Sequence, residues 1–419
     1  MSISEEIVLG KENILNVRHI TLKGSNFEIG RSLAEIAKSN HSFDLKHLKS
    51  TNEKHTQELK NYFEKNYPIY YQKMEGIAAA FKTDIEDYKY DFTGLPYNLE
   101  LPEQIGCSSI YIPPVFSEQQ EGLLSRNYDF PLTTLADLMN RQDSDEQRKT
   151  IKPMMAEPYV IELYPMDEGY PSLCISSFDL LGGVLDGINS EGLAVCLNGD
   201  EIAMSHYFKE RLNFGSLGVG LNELQSMRLL LDTCATVEEA KRVLKENKHY
   251  FTFLPCHYLI ADRFGKSVVF EYDYQEKVHH FIEETNKPQI MTNHPLSIFP
   301  SIKNFPEKST FLEAGTSSFQ RYEEIVGQLE KINPPYSQET IMSLCKSVSI
   351  SEVIKTIPQN YQIQILSQPG LSLTLWHSIY NCHRRNLSVK FLINKEVTKD
   401  QKFIEHYSDY FSFEIKNEI

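Results

Sequence analysis

The sequence changes character at one junction, Gly106-Cys107, and that change limits the folds open to this chain more than any other feature. Before it, Leu59, Tyr62, Phe63, Tyr67, Tyr70, Met74, Ile77 and Phe81 recur at spacings of three and four, the period of a helix with one buried face. Upstream of that stripe, the strand-like HITLKG leads into FEIGRSLAEIAK, a helix for which Asn26 is the predicted cap. From Cys107 onward the texture turns to strands. CSSIYI and GLLSRNYDF, separated by Pro113-Pro114 and a polar turn, predict a hairpin whose first strand opens on Cys107. The chain therefore has to seat a helical block, residues 1–106, on a sheet-rich remainder.

Further strands are predicted at PYVIELY, SLCISSF and GLAVCLN. Two helices follow, NELQSMRLLLDTCA and TVEEAKRVLKEN, the second opened by a Thr236-x-x-Glu239 capping box. Beyond them lie a hairpin around Phe264-Gly265, the segment QIMTNHP, a helix near 318–331, and strands at LSLTLWHSIY and NLSVKFLI with Arg384-Arg385 in the turn between. The charged stretch RQDSDEQRKT, 141–150, reads as an exposed loop, and 131–155 as a candidate pocket wall. Strand runs alternating with helix pairs predict stacked sheets between helical layers, an α+β architecture. At 419 residues the chain is long enough for one large domain with an appended segment, or for two domains.

Composition excludes several classes of function. With 57 acidic against 42 basic side chains the net charge is −15, which repels a phosphate backbone. No apolar core of signal-peptide length opens the chain and no window approaches a membrane span, so the expected location is the cytoplasm. Seven cysteines without a C-x-x-C pair, and thirteen histidines without H-E-x-x-H, predict neither a disulfide framework nor a metal site, and no motif calls for a cofactor. Six of the cysteines read as small buried hydrophobes. Cys107 differs, because the returning strand of its hairpin carries Arg126 and Asp129 back beside it. Taken alone, those two also read as a structural ion pair at a strand end.

Five motifs in order carry a resemblance: I-G-C-S-S-I-Y at 105–111, S-R-N-Y-D-F at 125–130, L-D-G-I-N-S-E-G-L-A-V-C-L-N at 185–198, M-T-N-H-P at 291–295 and S-S-F-Q-R-Y at 317–322. The chain resembles the N-terminal-nucleophile (Ntn) hydrolases of the choloylglycine hydrolase and penicillin V acylase superfamily, most of all the isopenicillin N acyltransferase-like branch. The resemblance implies a four-layer αββα sandwich. It also implies residues 1–106 as a helical pro-segment, cut off between Gly106 and Cys107 and retained as a heterodimer partner of a catalytic domain 107–419. Carried over residue by residue, it makes Cys107 the nucleophile, Arg126 and Asp129 a charged pair beside it, Asn198 and Asn293 the oxyanion positions, and Arg321 the distal arginine. The implied activity is cleavage of a linear amide through a Cys107 thioester, passed to water or to an amine. The small-molecule acyl group stays open among bile-salt conjugates, phenoxyacyl penicillins, acyl homoserine lactones, peptides and N-acyl lipids.

The chemistry is self-consistent. Gly106 has no side chain to keep the Cys107 sulfur from its carbonyl, and hydrolysis of the resulting thioester frees an α-amine whose ordinary pKa, about 7.7–8.0, suits a general base. Asp129 can hold the ammonium form, and Arg126 favours developing negative charge, the two charges also holding each other. The Asn293 side chain and the backbone N–H of Asn198 can donate to an oxyanion. Asn198 and Asn293 equally suit turns, and Arg321 a solvated helix face. Two other readings stand: a papain-like pair of Cys107 with His294, and a catalytically silent binding module on the same fold.

Overall fold

The computed structural model describes residues 1–94, 106–132, 154–177, 180–204, 218–251, 254–273, 276–306, 318–356, 362, 372–398 and 403–416. The N-terminal block opens with two strands, β1 (Ser2–Leu9) and β2 (Val17–Gly24), before its first helix α1 (Asn26–His41). That helix is capped by Ser25 rather than Asn26. The Ser25 hydroxyl accepts from the Glu28 N–H and the Glu28 carboxylate accepts from the Ser25 N–H, a reciprocal box that the S-x-x-E spacing encodes. Asn26 becomes the first helical residue, and its amide donates to Asp167 at 2.7 Å.

The aromatic stripe belongs to two helices, α2 (Glu53–Asn66) and α3 (Pro68–Ala80). Pro68 has no N–H to continue α2 but suits the first turn of a new helix, so the chain breaks at Tyr67. Helix α3 crosses α1 closely at Gly30 and Gly76, where a methyl on either glycine would run into the backbone of the opposite helix.

The first sheet has nine strands in the order β1-β2-β5-β6-β7-β8-β9-β10-β11. It adds β5 (Tyr159–Pro165), β6 (Ser172–Ser176), β7 (Asp186–Asn189), β8 (Ala194–Gly199), β9 (Cys256–Ala261), β10 (Lys266–Asp273) and β11 (Val278–Thr285). Strand β2 lies parallel to β5 from Arg18↔Tyr159 to Gly24↔Pro165, so the N-terminal block is woven into this sheet as well as packed on it. The second sheet runs β12-β3-β4-β13-β14-β15, with β16 also on β14. Its strands are β3 (Gly106–Ile112), β4 (Leu123–Pro131), β12 (Gln289–Met291), β13 (Ser372–Asn381), β14 (Asn386–Val397), β15 (Phe403–Tyr407) and β16 (Phe411–Glu414). The predicted hairpin is present as β3–β4, in register from Gly106↔Asp129 to Ile112↔Leu123. Gly265, at φ +88°, turns β9 into β10.

Strands β3 and β4 face β8 and β9 across the interface between the sheets. Helices α1, α4 (Glu223–Thr233) and α5 (Val237–Glu246) cover the outside of the first sheet. Helices α6 (Ser318–Lys331), α7 (Gln338–Ser347) and α8 (Ile350–Lys355) cover the outside of the second. The result is a mixed α+β sandwich, helix–sheet–sheet–helix. Thr236 caps α5 as predicted, but the Glu239 carboxylate reaches past it to the Ala235 N–H, so the capping box is only half formed.

A buried charge cluster ties the N-terminal block to α4. Asp232 takes the Lys73 ammonium at 2.8 Å, the Tyr67 hydroxyl at 2.6 Å and Arg228 at 2.7 Å. Burial works to raise the Asp232 pKa, but Arg228 and Lys73 outweigh it and hold the carboxyl below its usual range. All seven cysteines are buried. The predicted loop 141–150, and most of 131–155, fall outside the described residues. Among those described, no helix is long and apolar enough to cross a membrane, and no group of three or more His, Cys, Asp or Glu side chains is placed to hold a metal.

Candidate active site

Cys107 sits second in β3, 1% exposed, with its side chain directed between the two sheets. Its N–H points toward β12, which ends at Met291 opposite Ser109. Two residues on, Asn293 occupies the register position facing Cys107. There the Asn293 side chain replaces the missing strand, its Oδ1 accepting from the Cys107 N–H at 2.9 Å. That oxygen also accepts from Arg321 at 2.7 Å, and the Asn293 amide nitrogen donates to the Gly199 carbonyl at 2.8 Å.

Ser318, at the start of α6, fixes this corner by accepting the N–H groups of Asn293 and His294, each at 2.7 Å. One turn along the same helix face, the buried Arg321 donates to the Cys107 carbonyl and, at 2.9 Å, to the Ser108 hydroxyl. The Glu201 carboxylate lies 3.8 Å from the other end of its guanidinium.

Arg126 approaches the Cys107 sulfur at 3.6 Å. Its partner is not Asp129. Three residues apart on one strand, the two side chains leave opposite faces of the sheet. The Arg126 guanidinium pairs instead with Asp186 at 2.6 Å, both fully buried, donates to the carbonyls of Leu185 and Leu197, and stacks on Tyr128 at 4.6 Å. Burial opposes its charge, but the Asp186 carboxylate at 2.6 Å offsets burial and keeps the guanidinium protonated. Asp186 also accepts from Tyr380 and from the indole of Trp376.

Asp129 occupies the helix-covered face, opposite Gly106 in register. A Cβ placed on Gly106 would sit 3.1 Å from Asp129 Oδ2, so the carboxylate abuts the Gly106 backbone. Oδ1 accepts from the Thr374 hydroxyl at 2.7 Å, whereas Oδ2 is buried with no hydrogen-bond partner among the described residues. Burial raises the Asp129 pKa, with Arg321, Thr374 and Arg126 opposing. Burial also pushes up the Cys107 thiol against the pull of Arg126, which favours the protonated sulfur over the thiolate.

Asn198 lies within this cluster, with its side chain engaged on all sides. Its amide donates to the Met291 and Thr292 carbonyls at 3.0 and 3.1 Å, and its oxygen accepts from Ser109 at 3.1 Å. Leu197 N–H bonds across to Leu185 beside β7, so the next N–H along, that of Asn198, faces β9, where His257 is its partner in register. His294 makes no contact with the sulfur among the described residues. Its Nδ1 meets Ser318 at 2.8 Å, its ring stacks on Phe319 at 4.5 Å, and burial lowers its pKa to about 3. Beside Cys107, a cavity of about 20 Å³ is walled by Phe130, Leu185, Leu197, Leu224 and Leu254, with Glu223 among them.

Of the six predicted residues, Arg126 reaches the Cys107 sulfur, Asp129 abuts Gly106, and Asn293 and Arg321 hold the Cys107 backbone, whereas Asn198 contacts Ser109 and the Met291–Thr292 backbone; Asp186, Ser318 and Thr374 emerge only from the structure. In comparisons with known proteins, residues 116–394 match the family described as acyl-coenzyme A:6-aminopenicillanic acid acyl-transferase. The match covers Arg126, Asp129, Asn198, Asn293 and Arg321 and begins after Cys107. No curated protein matches the chain. Solved structures similar to it include penicillin V acylase from Agrobacterium tumefaciens, at 19% identity and TM-score 0.41 over 72% of this chain and 86% of that one. Another is a mutant of conjugated bile acid hydrolase from Clostridium perfringens, at 12% identity and TM-score 0.44 over 74% and 97%.

Proposed function

The chain belongs to the acyl-coenzyme A:6-aminopenicillanic acid acyl-transferase family, and on that premise we propose that it is a cysteine Ntn enzyme that activates itself by cutting Gly106–Cys107. In the first stage the Cys107 sulfur attacks the Gly106 carbonyl carbon. The C–N bond breaks, the Cys107 nitrogen takes up the thiol proton, and Gly106 is left as a thioester on Sγ. Water then releases the Gly106 carboxylate and restores the thiol. In the second stage the new α-amine takes the thiol proton, and the thiolate attacks a substrate amide. The leaving amine departs with that proton, and the acyl group passes from sulfur to water or to an acceptor amine.

One observation carries this reading: the buried, unpartnered Oδ2 of Asp129 against Gly106. A buried carboxylate oxygen without a donor costs on the order of 1–3 kcal/mol, and the ammonium created by the cut is the donor it lacks. Asn293 Oδ1 already accepts the Cys107 N–H and would accept from the same group as an amine. Among the described residues the second hydrogen of the Asn293 amide has no acceptor and can serve an oxyanion, Arg126 favours charge on sulfur, and Arg321 holds the Cys107 carbonyl. Asn198 acts as a positioning residue for the Met291–Thr292 backbone that presents Asn293. Residues 1–106 stay bound as the small chain, because the β2–β5 pairing and the Asp232 cluster both cross to 107–419. The apolar wall beside Cys107 favours an apolar acyl group.

Penicillin V and a conjugated bile acid, the compounds named for the similar structures, are the first amides to try. Amine release should be lost in Cys107→Ala, and a wild-type fragment quenched during turnover should gain the acyl mass, removable by hydroxylamine. Full turnover by Cys107→Ala would overturn the proposal. His294→Gln separates this mechanism from the papain-like one, because His294 makes no contact with the sulfur among the described residues.

A further inference from the structure

A second cavity, of about 300 Å³, lies on the helix-covered face of the second sheet, away from the thiol. It is large enough for a small ligand, unlike the space beside Cys107. Its floor is Asn127 of β4, Thr374 and His377 of β13 and Lys390 of β14, and its walls come from β15 and from the helical segment 346–355.

The charges lining it do not balance. Lys355 is closed off by Glu352 at 2.7 Å. Glu405 is committed to neutral donors, accepting from the Thr374 N–H at 3.2 Å and the Tyr407 hydroxyl at 3.0 Å, and burial raises its pKa toward the uncharged form. Lys346 and Lys390 have no carboxylate within ion-pair distance among the described residues. The Lys390 ammonium rests instead over the rings of Tyr407, at 4.7 Å, and Tyr410, at 5.5 Å. Burial, and then the neighbouring Lys346, depress the Lys390 pKa, so an incoming anion would relieve both. His377 uses one ring nitrogen on Ser125 at 2.7 Å and the other on Tyr410 at 2.5 Å.

We propose that this cavity is a binding site for a small molecule carrying a phosphate or carboxylate group, held between Lys346 and Lys390. Thr374 in its floor donates to Asp129 Oδ1, so the bound anion lies one side chain from the carboxylate that abuts Gly106. The binding claim stands apart from the reading of Cys107 and is tested apart from it.

The test is calorimetric titration of the full chain at low ionic strength with inorganic phosphate and, separately, with citrate. One of the two should bind saturably at a single site, and the stronger probe identifies the group recognised. Lys390→Met should weaken binding about ten-fold or more, the loss of one charge-assisted contact. Lys346→Met should do likewise, and because Lys346 is exposed that variant leaves the fold undisturbed. Lys355→Met, which removes an already paired charge, should change affinity less than about three-fold. Absence of saturable binding by either probe, or binding that survives Lys346→Met unchanged, would overturn the proposal.

Discussion

Replacing Asp186 with asparagine removes one charge and almost no volume, leaving the Arg126 guanidinium buried beside Cys107 without its counter-ion. Both side chains are fully buried and 2.6 Å apart, the situation in which removing one partner costs about 3–5 kcal/mol. The asparagine oxygen can fill only one of the two acceptor positions, Oδ1 for Tyr380 or Oδ2 for Trp376 and Arg126, so the displaced bond adds to the loss. Arg126→Met in the same chain removes the orphaned charge, and the two substitutions should therefore couple by about 2–3 kcal/mol. Urea denaturation in a Cys107→Ala background keeps every sample as one uncut chain, and midpoints compared at a common slope give the differences. Asp186→Asn should be the least stable of the set, with the double variant recovering much of the loss. A single-variant cost below about 1 kcal/mol, or strict additivity, would refute the assignment of Asp186 as the partner that holds Arg126 on the sulfur.

Three further outcomes are expected. Burial raises the folded pKa of Asp129 above its unfolded value, so its contribution to stability is present at low pH and lost as pH rises through the folded pKa; Asp129→Asn should stabilise the uncut chain at pH 7, the gain vanishing below about pH 4, while turnover falls ~100-fold. Asp232 has the opposite sign: its folded pKa is depressed, so the stability it contributes is present above about pH 4 and lost as pH falls through the folded value. Size-exclusion of the cut protein across that window should show the two pieces parting in acid, with Asp232→Asn weakening their association already at pH 7. His294→Gln should lower kcat less than ten-fold, because the ring is held neutral and faces Ser318.

Much of this was legible in the sequence where the signal is local. The hairpin opening at Cys107 followed from alternation and a Pro-Pro turn, and the Phe264-Gly265 turn from its glycine. Ser25 and Pro68 were equally readable, the first by its glutamate three residues on and the second by its missing N–H, yet the stripe of aromatics suggested one continuous helix. Strand β1 gave no such sign. SISEEIVL is an edge strand, exposed along most of its length, and shows no buried face to set a period. Opposite charge points to a pairing of Arg126 with Asp129, but the strand period puts them on opposite faces. Asp186 carried a usable signal, a lone carboxylate inside LLGGVLDGIN, since acidic groups in apolar runs are rarely left unpaired. Asn293 could not be placed opposite Cys107 without knowing that β12 pairs with β3 and stops two residues short. That is long-range register, which no local pattern carries.

The fate of one peptide bond, Gly106–Cys107, decides whether this chain becomes the proposed enzyme. Intact mass and N-terminal sequencing of the purified wild type, beside Cys107→Ala, address it directly. Two co-purifying pieces are expected in the wild type, the larger beginning Cys107-Ser108-Ser109, and a single uncut chain in the variant. A wild type that remains one chain while hydrolysing an acyl amide would contradict that expectation.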